Sequence, residues 1–219
     1  MVFVKEKVWE SWKCGLMNVN EYRVLFLVVT GVLALLVASP AMSRILVYPR
    51  TEFFTELWIL DANRRAEDYP FNIARNYNYS IFLGIGNRLG YSAYYLVEVK
   101  VRNQSQPAPT SFGPIENRTP SILPSLFNIT AFVADEQVWD LPLTFSFDYG
   151  YNETLSQVEF YSLTLNGVAL NLNDYLVVWD SSRKGFLVNL FLELWIYNDN
   201  LSDFQYHGRF VGLWLNMTA

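Results

Sequence analysis

Leu141-Pro142-Leu143-Thr144-Phe145-Ser146-Phe147-Asp148 places an apolar side chain at every second position. A β-strand turns successive residues to opposite faces. Leu141, Leu143, Phe145 and Phe147 therefore make one apolar row, and Pro142, Thr144, Ser146 and Asp148 the other: a strand with one face buried. The same period returns on both sides of it. Upstream it runs through Tyr77, Tyr79, Ile81, Leu83 and Ile85, then through Ala93, Tyr95, Val97, Val99 and Val101 against Glu98, Lys100 and Arg102. Downstream it runs through Phe186, Val188, Leu190, Leu192, Leu194 and Ile196, then through Val211, Leu213, Leu215 and Met217. Asn87-Arg88-Leu89-Gly90 reads as a hairpin-type turn, Asn166-Gly167 as a type I′ turn, and Asp199 to Gly208 as the close of a further hairpin. Seven to nine short strands with turn signals about every ten residues, and no helical period of comparable length, predict an antiparallel β-sandwich, most simply immunoglobulin-like. Gln106 to Pro124 carries five prolines. Proline lacks the ladder donor, so this segment is an inserted loop and not a central strand.

Composition narrows the function. The chain has 219 residues, 52% apolar and 17% charged, which excludes a disordered or fibrous protein and suits one domain, alone or with an anchor. A net charge of −5 argues against nucleic acid as a partner. One cysteine, Cys14, allows neither an intrachain disulfide nor a cysteine zinc site. One histidine, His207, excludes a multi-histidine metal centre and leaves a single route to a Ser-His-Asp triad. Gly84 to Gly90 only superficially matches a dinucleotide loop, because the third glycine falls one place late and a strand follows it. Arg64, Arg65, Glu67 and Asp68 read as a solvated turn, and His207 as an incidental residue of an exposed loop. No catalytic residue, cofactor or metal is expected, and the chain reads as non-enzymatic.

Val24 to Met42 holds nineteen residues without a charge, between Arg23 and Arg44. At 1.5 Å per residue, that is about the thickness of a hydrocarbon core. The organisation expected is a cytoplasmic amphipathic tail over 1–22, a single transmembrane signal-anchor helix over 23–47 and an extracellular β-sandwich over 51–219. Ala38-Ser39-Pro40-Ala41 offers small residues for cleavage, but the segment before the apolar run is long for a signal-peptide n-region, so the anchor is expected to stay. In the tail, Val4, Val8, Trp9, Trp12 and Leu16 share one helical face against Glu6, Glu10 and Lys13, suiting either the inner leaflet or packing on a partner subunit.

Orientation follows from Asn-x-Ser/Thr sequons at Asn78, Asn103, Asn117, Asn128, Asn152, Asn200 and Asn216, all after the apolar run. Chance would give about two in a chain of this composition. Strand parity projects Asn78, Asn128 and Asn216 away from the core; Asn103 lies at a strand end, Asn117 in the proline-rich loop, and Asn152 and Asn200 in turns. The sandwich is therefore expected outside the cell membrane, carrying N-linked glycans, with lipid around its anchor.

Phe186 to Tyr197 is apolar on both faces: Leu187, Phe191, Trp195 and Tyr197 lie opposite Val188, Leu190, Leu192 and Leu194. A sandwich needs one inner face per sheet, so the second row needs a cover. The expected cover is another membrane or surface protein; the alternative is the Gln106 to Pro124 loop of the same chain. Trp139, Trp179 and Trp214 divide in the same way between core packing and a surface that stacks on a partner or on sugar.

Thr51-Glu-Phe-Phe-Thr-Glu-Leu-Trp-Ile-Leu-Asp-Ala-Asn-Arg-Arg-Ala-Glu-Asp-Tyr-Pro70 resembles the opening line of archaeal domain-of-unknown-function family 1616, which follows a membrane segment. Ile81 to Asn87, Trp139 to Phe145, Leu192 to Tyr197 and Gly208 to Leu215 are similar to later strands of that family. The resemblance implies an archaeal membrane-anchored β-domain and transfers no site. The function expected is that of a surface glycoprotein in adhesion, envelope structure or assembly; the alternative is an accessory subunit of a larger membrane complex.

Overall fold

The computed structural model describes residues 22–45, 52–110 and 112–218, with the backbone alone at 40–45, 116, 173 and 174. The chain divides into two compact units, meeting between Thr51 and Glu52. The tail expected over 1–22 lies, but for Tyr22, outside the described residues, as do residues 46 and 47 of the expected anchor.

The first unit is a helix, α1 (Arg23–Ile45), of 23 residues, about 34 Å long at 1.5 Å per residue. Its Thr30 hydroxyl donates to the Phe26 carbonyl (2.6 Å), which satisfies a polar side chain within the apolar run. Side chains are described only from Arg23 to Ser39, and among the described residues no helix is long and apolar enough to cross a membrane.

The second unit is built of strands β1 (Phe54–Leu60), β2 (Asn72–Ile73), β3 (Tyr79–Arg88), β4 (Ala93–Arg102), β5 (Phe127–Val133), β6 (Val138–Asn152), β7 (Gln157–Leu165), β8 (Val168–Val178), β9 (Phe186–Asn198) and β10 (Asp203–Met217). They form two five-stranded sheets, β1-β3-β6-β7-β8 and β2-β10-β9-β4-β5, antiparallel except for the β2–β10 pair. The apolar rows of the sequence are the inner faces. Ile81, Leu83 and Ile85 of β3, Leu143, Phe145 and Phe147 of β6, Tyr95, Val97 and Val99 of β4, and Val188, Leu190, Leu192 and Leu194 of β9 are all buried in one cluster between the sheets. The expected mainly-β sandwich is thus what forms. Asn166 (φ 46) and Gly167 (φ 82) both take positive φ, the type I′ geometry that their dipeptide predicts between β7 and β8.

Two expectations are corrected. The turn at Asn87 to Gly90 does not close a hairpin, because β3 pairs with β1 and β6 while β4 pairs with β5 and β9. The chain crosses there from one sheet to the other. The Asn87 amide holds the crossing, donating to the carbonyls of Tyr91 and Val133 (2.8 Å each). Nor is the strand order that of an immunoglobulin domain throughout. The sheet β10-β9-β4-β5 follows its G-F-C-C′ order. In the other sheet such a domain sets beside its second strand the one that leads directly into F. Here the neighbour of β3 is β6, which follows β5, and β7 and β8 continue outward from it. Alternation and turn residues specify strands, but they do not specify which strand lies beside which.

Candidate interaction surface

The outer face of β9 is the unusual one. Leu187, Asn189, Phe191 and Glu193 alternate with the core row, yet all four are buried. Over Glu193 the cover is the chain's own proline-rich segment, a strap that follows β4 and reaches back to β4, β9 and β10. Ser121 donates its backbone N–H to Glu193 Oε1 (2.6 Å) and accepts at its carbonyl from Lys100 Nζ (3.3 Å). Arg118 donates to the Gly208 carbonyl (3.0 Å), and the Ile115 side chain lies where a Cβ on Gly208 would be. At the other end, Gln106 accepts from Arg102 at its carbonyl and from the Tyr175 hydroxyl at its side-chain oxygen.

Beneath the strap, Lys100 bridges Glu193 (2.7 Å) and Glu98 (2.9 Å). Burial works against the charged amine, but the two carboxylates outweigh it and hold the Lys100 pKa above its ordinary value. A buried ion is tolerated only when paired and hydrogen-bonded, and this one is both. Arg102 and Arg183 both bring their guanidinium groups over the Trp214 ring, 4.8 and 5.3 Å from its centroid, as cation–π contacts.

The residues expected to meet a partner therefore separate. Leu187 and Phe191 are buried within the chain. Trp195 is half-buried against Tyr206, and its Nε1 has no hydrogen-bond partner among the described residues. Burial, with the Glu193 carboxylate nearby, pushes the Tyr206 hydroxyl up to about 12. Tyr197 alone stays exposed, and it does not stand alone. Phe132 of β5, Tyr94 of β4, Tyr197 of β9 and Phe204 of β10 fall in one row across four neighbouring strands. Ring centroids of Tyr94, Tyr197 and Phe204 are 5.3–6.3 Å apart. Reading β9 by itself missed this row; aligning the four strands by register would have found it. Trp139 packs against the core, whereas Trp179 is exposed and meets Phe186 edge-on.

His207 corrects a further expectation. It lies within β10 at a bulge between Tyr206 and Arg209, not on an exposed loop. Its Nε2 hydrogen-bonds the Thr55 hydroxyl (2.8 Å), which contacts the Tyr95 hydroxyl (3.1 Å), which reaches Asn87 Oδ1 (3.2 Å). Burial, reinforced by Arg209, lowers its pKa to about 4. The chain ties β1, β3, β4 and β10 together across the sheets. Nothing nucleophilic beyond Thr55 and Tyr95 joins it, and among the described residues no group of His, Cys, Asp or Glu is placed to hold a metal. Arg65 pairs with Glu67 (2.8 Å) and Asp68 (3.4 Å) on an exposed turn, as expected of that cluster.

The sequon asparagines fall into two groups. Asn78, Asn117, Asn128, Asn152 and Asn200 are exposed. Asn103 and Asn216 are half-buried with their side-chain amides engaged. Asn103 donates to the Leu176 carbonyl (3.3 Å) and accepts from Ser105 and Gln106. Asn216 donates to Asn72 (2.9 Å) and accepts from the Phe186 N–H (3.1 Å). No protein-family model matches the chain, and comparison with curated proteins finds no match.

Proposed function

We propose that the chain is a non-enzymatic, membrane-anchored surface glycoprotein, with its sandwich outside the cell and acting in adhesion, envelope structure or assembly. One observation carries the reading: seven sequons follow the apolar segment, and five of their asparagines are exposed on the sandwich. The apolar helix α1, about 34 Å long, supports the anchor. A core large enough to stand without disulfides, in a chain whose one cysteine precedes α1, is compatible with an oxidising exterior. Protease added to intact cells should remove the sandwich and leave the tail; digestion of the tail with the sandwich protected would refute the topology. The exposed aromatic row favours a second reading, an accessory subunit that docks on a larger membrane complex. Detergent extraction from native membrane distinguishes it, because a subunit migrates with its complex and a free surface protein does not.

A further inference from the structure

Seven strand ends meet at one end of the sandwich, the start of β6 opposite Gly86 among them. β1 begins there opposite the end of β3, β4 begins opposite the end of β5, and β9 ends where β10 begins. The chain enters the sandwich at this end, and the end is rich in exposed apolar side chains. Phe53 lies against Gly90, Tyr91 follows on the crossing between the sheets, Leu201 tips the β9–β10 turn, and Phe132 (69% exposed) opens the aromatic row that continues through Tyr94 and Tyr197. Four of the seven sequons lie at the opposite end: Asn78 before β3, Asn103 after β4, Asn152 at the end of β6 and Asn216 near the end of β10. Asn200 is the sequon in the β9–β10 turn of the entry end.

From this arrangement we infer that the chain-entry end of the sandwich rests on a neutral lipid surface, with Phe53, Tyr91, Tyr94, Phe132 and Tyr197 at headgroup depth. The inference rests on the reading of α1 as a membrane anchor. Residues 46–53 separate α1 from β1, and eight residues span about 28 Å at most. The link therefore keeps this end, whose one sequon is Asn200, closer to the bilayer than the end with four sequons. Tyrosine and phenylalanine suit the interface, where an apolar ring meets lipid and a polar edge meets water. At this end Glu52, Asp135, Glu136, Asp199 and Asp203 outnumber Arg88, and the acidic balance opposes an anionic surface, so the lipid selected is zwitterionic.

The full-length chain tests this, with Cys14→Ser and a single cysteine in place of Phe132 or of Leu155, which lies in the β6–β7 turn at the far end. Each is nitroxide-labelled and reconstituted in phosphatidylcholine nanodiscs. The label at 132 should lose access to a water-soluble nickel relaxant and gain access to oxygen, relative to the label at 155. Adding phosphatidylglycerol should reduce the difference. Equal nickel access at both positions overturns the contact while leaving the anchor intact. A label at 132 shielded from both relaxants also overturns it, since that signals a protein cover. Release of the chain from native membranes by carbonate contradicts the anchor itself, and the contact with it.

Discussion

Lys100 shows how one polar residue can hold a loop. Its ammonium satisfies two carboxylates and one strap carbonyl in a site with almost no solvent. Lys100→Met leaves Glu193 buried with only the Ser121 N–H, a change that should destabilise by about 3–5 kcal/mol. Adding Glu193→Leu should recover much of that loss in denaturant titrations of the double variant, since two matched apolar residues leave no orphan. An equal or larger loss in the double variant would mean that the pair stabilises beyond its own burial. His207 gives a pH signature. Its folded pKa of about 4 lies below its ordinary 6.5, so below pH 6.5 the unfolded chain binds the extra proton. Its contribution is intact above about pH 6.5 and is lost as pH falls toward 4, at most about 3 kcal/mol. His207→Gln should flatten the difference between stability at pH 7 and at pH 4.5. The residue types of both networks are plain in the sequence. Their meeting was not, because Lys100 and Glu193 stand 93 residues apart, and a bulge that alternation does not signal turns His207 inward.

At the scale of elements, the rows of β3, β4, β6, β9 and β10 were legible because each buries one face at period two. The partners of each strand were not, because the turn at Asn87 to Gly90 carries residues equally suited to a hairpin and to a crossing between sheets. The strap was half-legible. Its prolines excluded a strand, and the doubly apolar β9 demanded a cover, but only contact through Ser121, Arg118 and Gln106 identifies the one with the other. Replacing 107–120 by a short Gly-Ser linker should uncover the outer face of β9 around Glu193 and Lys100, raise binding of an apolar dye and lower Tm. Unchanged dye binding would mean that the face is covered in another way. A smaller change has a similar target. A Cβ on Gly212 would stand 2.7 Å from Phe191 Cβ, so Gly212→Ala should cost about 1–3 kcal/mol by overpacking, read as a lowered midpoint of denaturation.

The sandwich carries five exposed asparagines in sequon context beside an exposed aromatic row, and among the described residues an apolar helix precedes it in the chain. That order, apolar segment then sequons, is legible in the sequence; glycosylation of the sequons belongs to the proposal. Which acceptors are usable depended on hydrogen bonds that only the fold supplies. Intact-glycopeptide mass spectrometry of the protein from its native membrane tests the central claim most directly. Glycan should be found at Asn78, Asn117, Asn128 and Asn152, with Asn103 and Asn216, whose amides are engaged, and Asn200, at the end that faces the bilayer, least occupied. All seven asparagines bare would contradict a sandwich that lies outside the cell.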